Sequence, residues 1–193
     1  ESRMIYGSKI LWYGYENVIT KIRKTNQKEF VLDKLEEHKQ RLLKYPLKME
    51  PNIKDGYGGI RESNMMYWMA NILYGVTNTK DLIRTQFTEK KKKKYRQALE
   101  FIFQVRNALH NIARKKLDQV TFDILPDLSS KLGFKNKSRY TKDRQCMSKI
   151  LSCLHIIHSF TATMVKKFTR QIIFEASNIP KLRKLRFKKN VYI

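Results

Sequence analysis

Apolar residues recur along this chain with a helical period, not an alternating one. Between residues 3 and 24 they fall at Met4, Ile5, Ile10, Leu11, Tyr15, Val18 and Ile22, spacings near 3.6 that predict a helix. Asn26 stands where it can cap a second helix, and Glu29, three residues on, completes a capping-box pattern. That helix runs to about Lys44 and is ended by Pro46, and residues 45–58 form a loop containing Pro and Gly. A third helix is predicted over about 60–74, stopped by Gly75, and Thr79 can start a short one over 80–86. Thr88 opens a long helix to about Lys115, with Tyr95, Leu99, Ile102, Val105, Leu109 and Ile112 as its core stripe. A short helix over 121–132 ends at Gly133; Pro126 inside it means that its first turn begins near Asp123 or that it is kinked.

The last predicted helix, about 141–175, carries the stripe Met147, Ile150, Leu154, Ile157, Thr161, Met164, Phe168 and Ile172. At ~1.5 Å per residue it is roughly 50 Å long, so it is expected either to kink or to project toward a neighbouring domain. The expected fold is all-α: about six or seven helices packed round two long ones. The helical domain is placed at 1–176 and a basic linker or tail at 177–193. No internal repeat at a solenoid period is visible.

Composition narrows the class. The chain has 193 residues and is 41% hydrophobic, enough for one domain with a real core. No run approaches the ~20 apolar residues of a membrane span, and no signal peptide is readable. Cys146 and Cys153 lie two turns apart on one predicted helix, too far for a disulfide, so buried reduced thiols and a cytoplasmic setting are expected. The charge changes the picture more. Lys and Arg number 41 against 17 Asp and Glu, a formal +24. Such a surplus fits an acidic partner (nucleic acid, nucleotide or acidic protein), or simply lysines that solvate helix surfaces. The run Lys90–Lys94 in a helix's first turn, where the dipole disfavours cations, poses the same choice in miniature.

The candidate chemistry centres on Glu50-Pro51-Asn52-Ile53-Lys54-Asp55-Gly56-Tyr57-Gly58-Gly59-Ile60-Arg61-Glu62. Gly56, Gly58 and Gly59 permit close backbone approach, Lys54 and Arg61 flank them, and a helix follows. A Gly-rich turn opening a helix can present N–H groups to an anion, or can be only a tight turn. His155 and His158 share a helix face and could bind a metal with a third ligand, but no nearby carboxylate or Cys completes a believable set. Arg106 and His110, four apart on one face, are expected to hydrogen-bond the Gly loop or an acid such as Asp118.

The order Glu-Pro-Asn-x-Lys-x-Gly-x-Gly-Gly-x-Arg resembles the signature of the bacterial protein-PII uridylyltransferases (uridylyl-removing enzymes), in the helical region that follows their nucleotidyltransferase domain. Phe30 to Arg41 is similar to the family's Lys- and Arg-rich helix ahead of the motif. Phe103 to His110 resembles its Val-Arg-x-x-Leu-His helix, and Asp118 to Phe134 its Asp, hydrophobic helix, Leu-Gly-aromatic segment. The resemblance extends to about Ile173. Asp55 stands where the family usually has Glu, Tyr57 replaces a usual Pro, and Glu62 a usual Asp.

The resemblance implies a parent that moves UMP from UTP to a tyrosine of the PII signalling protein in nitrogen regulation, with Mg²⁺, and removes it in a separate phosphohydrolase domain. It implies that Lys54, Gly56, Gly58, Gly59 and Arg61 meet nucleotide or a neighbouring domain, with Glu50, Asn52, Arg106 and His110 supporting them. No catalytic or metal residue is expected in this chain. The sequence has no Asp-x-Asp or Asp-x-Glu to hold Mg²⁺ on a triphosphate, and no adjacent His-Asp pair. The chain is therefore expected to be a piece of a larger enzyme that binds no cofactor itself, with a nucleotidyltransferase domain ahead and a phosphohydrolase domain behind. The alternatives are a basic helical nucleic-acid-binding module, the same helical domain from another nucleotidyltransferase family, and a pure interaction adaptor.

Overall fold

The computed structural model describes residues 4–46, 49–76, 89–136 and 138–176. Among these residues the fold is all-α, with six helices: α1 Lys9–Thr25, α2 Gln27–Lys44, α3 Ile60–Tyr74, α4 Glu89–Ala113, α5 Leu125–Lys131 and α6 Arg139–Ala176. One isolated antiparallel bridge, Asn52 with Gln119, is the only extended pairing among them. The expected helix over 80–86 and the expected tail over 177–193 lie outside the described residues.

α6 is the spine. It packs most extensively on α4, and α3 and α5 also lie against it. Its predicted stripe is buried at every position, from Met147 and Ile150 through Leu154, Ile157, Thr161 and Met164 to Phe168 and Ile172. Thr161 is a polar member of that stripe, and its hydroxyl donates back to the Ile157 carbonyl at 2.9 Å, so no polar atom is stranded there. The helix is continuous for 38 residues. Facing it, α4 buries Tyr95, Ile102, Val105 and Leu109, while Leu99 and Ile112 are half-buried. Tyr95 stacks on Phe160 with ring centroids 4.2 Å apart. α3 adds Met65, Met66, Met69 and Ala70. Each fully buried large side chain contributes about 1.5–3 kcal/mol of transfer free energy.

The helix ends follow their punctuation. α3 stops at Gly75, whose φ of +66° suits Gly, and the Gly75 N–H closes on the Asn71 carbonyl at 2.9 Å. Pro126 sits in the first turn of α5 and does not kink it, since a first-turn N–H has no intrahelical partner to lose. Two expectations need correction. Asn26 does precede α2, but its side chain makes no capping bond, so the capping box with Glu29 does not form. The start of α2 is fixed instead by Gln27, whose amide donates to the Ile72 carbonyl of α3 at 2.8 Å. The first helix begins at Lys9 and not near residue 3, and its predicted stripe is not core. Leu11, Tyr15, Val18 and Ile22 are all exposed, and the half-buried face is Trp12, Ile19 and Arg23.

Cys146 and Cys153 are free and buried against α6's neighbours. Burial pushes the Cys146 thiol up to about 12, with Asp143 adding to the rise, and raises Cys153 as well. Of the five lysines opening α4, Lys92 is buried and pairs with Glu89 at 2.8 Å, while Lys90, Lys91, Lys93 and Lys94 are exposed. No helix among the described residues is long and apolar enough to cross a membrane.

Candidate functional site

The Gly loop between α2 and α3 is held by its own backbone. The Asn52 side-chain oxygen accepts the N–H groups of Lys54 (3.0 Å) and Asp55 (2.7 Å), the turn geometry that Asn favours. The Gly56 N–H donates to Asn52 O, the Gly59 N–H to Gly56 O, and the Arg61 N–H to Lys54 O, each at 3.0 Å. Residues 51–53 lie beside 118–120: the Ile53 N–H donates to Asp118 O at 2.9 Å and the Val120 N–H to Pro51 O at 3.0 Å. Glu50 completes this edge. Its carboxylate accepts the Phe122 N–H at 2.7 Å, and its carbonyl accepts from the Gln119 amide.

The glycines are required by packing. A Cβ on Gly58 would lie 1.9 Å from the Leu154 carbonyl oxygen of α6, and the Gly58 φ is +67°. A Cβ on Gly56 would lie 2.6 Å from Asn52 O, and one on Gly59 2.6 Å from Lys54 O. The close approach is thus between the loop and itself, and between the loop and α6.

The flanking cations have partners within the fold. Asp118 gathers three basic side chains: the Arg106 Nε–H donates to it at 2.7 Å, His110 Nε2 lies 3.3 Å away and Lys54 Nζ 3.6 Å away. Burial by itself would raise the Asp118 carboxyl. The Arg106 hydrogen bond and charge, the His110 hydrogen bond and Lys54 outweigh it and hold it below the usual carboxylate range. Arg61 pairs through Nε with Asp55 at 3.0 Å, and its side chain remains 45% exposed. The structure therefore brings Glu50, Asn52, Lys54, Arg106 and His110 to one edge of the loop and sets Arg61 with Asp55.

A second constellation was not visible in the sequence. Glu62, in the first turn of α3, is 2% exposed. His158 of α6 meets its Oε1 at 2.7 Å, His38 of α2 faces the same oxygen at 3.7 Å, and the Gly58 N–H donates to Oε2 at 2.6 Å. The Tyr57 ring stacks on His158, centroids 3.8 Å apart. The His155–His158 pair, which had no carboxylate nearby in sequence, thus divides: His158 has Glu62, and His155 faces the Tyr57 hydroxyl at 3.5 Å and the Ser159 hydroxyl. Among the described residues no group of three or more His, Cys, Asp or Glu is arranged to hold a metal ion.

A family model described as GlnD PII-uridylyltransferase matches residues 29–165, more than half of the chain. The chain belongs to the PII-uridylyltransferase family. Among its curated relatives is the bifunctional uridylyltransferase/uridylyl-removing enzyme of Ruegeria pomeroyi, 33% identical over 122 residues, which are 62% of this chain and 13% of that protein. The protein of the same name from Rhodospirillum rubrum is 29% identical over 143 residues, 72% of this chain and 15% of that one. That of Stutzerimonas stutzeri is 28% identical over 184 residues, 93% of this chain and 20% of that one. The chain thus spans no more than a fifth of these relatives' length. No solved structure matches it.

In this PII-uridylyltransferase-family fold the three departures in the motif all have contacts. Asp55 reaches Arg61, Tyr57 covers His158, and Glu62 reaches both His158 and Gly58. A stacked ring restrains residue 57 from the side-chain end, where Pro would restrain it through the backbone.

Proposed function

We propose that this chain is the helical domain behind the nucleotidyltransferase of an enzyme that moves UMP from UTP to the PII protein and, in a separate phosphohydrolase domain, removes it. Mg²⁺ and UTP bind chiefly on the nucleotidyltransferase domain. The helical domain walls the cleft, helps to position nucleotide or PII, and connects the two catalytic units. The observation that carries this reading is the Glu50–Glu62 loop. It sits in a chain of this family, seated rigidly on α6, with Arg61 projecting from it half-exposed. The isolated chain is not a catalyst, because it has no Asp-x-Asp pair to hold the metal.

Asp55 engages the Arg61 Nε, and a guanidinium carries further donors in a planar fork suited to phosphate or carboxylate. In the full enzyme, Arg61→Ala should lower the rate of UMP transfer about 100-fold or more, the scale of losing a donor that acts on developing charge. Its thermal midpoint should move little, since the Arg61 side chain is 45% exposed. Transfer rate and midpoint are measured on the same preparation. An unchanged rate with a midpoint lowered by many degrees would make Arg61 a brace of the loop and remove it from the cleft.

The formal charge of +24 favours one second reading, a nucleic-acid-binding module. Its separate test is the salt dependence of RNA binding, which counterion release makes steep for a nucleic-acid binder.

A further inference from the structure

We propose that Glu62, with His38 and His158, forms a proton-operated latch that seats the Gly loop at neutral pH and releases it on acidification. The proposal concerns the loop's own regulation and stands whatever the loop binds.

The geometry assigns the protons. The Arg41 Nη2 lies 3.0 Å from His38 Nδ1. A guanidinium only donates, so His38 Nδ1 must accept. His38 is then neutral, with its proton on Nε2, the nitrogen that faces Glu62 at 3.7 Å. A second proton on His38 would set an N–H against an N–H of Arg41 and break that contact. The carboxylate that His38 faces is the one that holds the loop: Oε2 accepts the Gly58 N–H, while Oε1 faces both imidazoles. Three helices and the loop therefore converge on one buried anion.

The other groups around it are accounted for. From α2, Arg41 opposes a charged His38, while Glu37 favours it. From α4 the Tyr95 phenol feels the carboxylate, and from the loop the Tyr57 hydroxyl does so. Burial depresses His38; Glu62 opposes that, and Arg41 and His158 add to it, leaving the ring below its ordinary 6.5. A base whose folded value is depressed binds more protons when unfolded. Stability is therefore fully present above about 6.5, the unfolded value, and is lost as pH falls from there through the lower folded value. For Glu62, burial raises the carboxyl, but the His158 hydrogen bond and charge, His38 and the Gly58 N–H bring it below 4.5. Its contribution is present above 4.5 and lost only as pH falls through the lower folded value, so His38 acts first.

The test uses the 193-residue chain and its His38→Gln variant. Gln keeps a donor and an acceptor but cannot titrate in this range. Between pH 7.5 and 5.5 the wild-type thermal midpoint should fall. The Gly58 amide, corrected for intrinsic exchange, should lose up to about tenfold in protection, because the opened state takes up a proton on His38 over the pH unit below 6.5. In His38→Gln both changes should flatten over the same range, with the remaining histidines common to both proteins. Equal slopes in the two proteins would overturn the latch. If the variant does not fold, the wild-type imidazole nitrogen shifts decide. Nδ1 of His38 should take up its proton only below pH 6.5 and together with the loss of Gly58 protection, whereas titration at the ordinary value with that amide still protected would overturn the proposal.

Discussion

A methyl group added at Gly58 would meet the Leu154 carbonyl oxygen 1.9 Å away, and the same residue has φ +67°. Gly75 has nearly the same backbone, φ +66°, with nothing within 4 Å of an added Cβ. The pair separates strain from collision. Gly75→Ala should cost roughly 1–2 kcal/mol, the left-handed penalty alone. Gly58→Ala should cost clearly more, because the loop must also lift off the α6 backbone and surrender the Glu62 hydrogen bond. Urea unfolding of both variants checks this, and equal losses would mean that the loop is not seated on α6 as described. Part of this scale was readable beforehand. The four-residue spacing of Arg106 and His110 placed them on one face, and Asp118 was a natural acid for both. The Glu62 cluster was not readable. His38 and His158 lie on different helices that only the tertiary fold brings to one carboxylate, and local periodicity carries no record of that meeting.

Between elements, α1 and α6 obey the same period and meet opposite fates. Every position of the α6 stripe is buried, whereas Leu11 of α1 is 76% exposed and Ile22 59%. Leu154→Ala should therefore cost about 2–5 kcal/mol, as a cavity in a packed core. Leu11→Ser and Ile22→Ser should each stay within about 0.5 kcal/mol in this chain. Chemical denaturation gives both numbers, and a large loss at Leu11 or Ile22 would mean that α1 is packed after all. The contrast shows what a sequence pattern can carry. Gly75 and Gly133 mark helix ends through local backbone chemistry, so α3 and the end of α5 were placed closely, whereas α5 begins at Leu125 and not at 121, with Pro126 in its first turn. Periodicity marks an apolar face but not what covers it, so α6 was read correctly and the environment of α1 was not.

For the molecule as a whole, the formal charge of +24 is the feature left over after packing and loop geometry are explained. Four of the five lysines opening α4 are exposed, the arrangement of a solvated surface, and only Lys92 is buried, its ammonium paired with the exposed Glu89. Replacing Lys90, Lys91, Lys93 and Lys94 by Gln should shift stability by less than about 0.5 kcal/mol each. The same fourfold variant should leave RNA binding at physiological salt as weak as in the parent chain. Tight binding that falls steeply with salt and weakens in the variant would instead support the nucleic-acid reading. The α6 spine has a different consequence, in the order of synthesis. α3 and α4 are made before the helix that covers them, since the α6 stripe runs from Met147 to Ile172. At about 5–20 residues per second, roughly 6–20 s separate the emergence of Ile60 from that of Ile172. Until α6 begins to emerge at Arg139, the methionines of α3 and the apolar face of α4 have no α6 to pack on, and its stripe is complete only with Ile172. A ribosome stalled before residue 139 would present those faces bare, the kind of exposed apolar surface that makes an incomplete chain prone to aggregate.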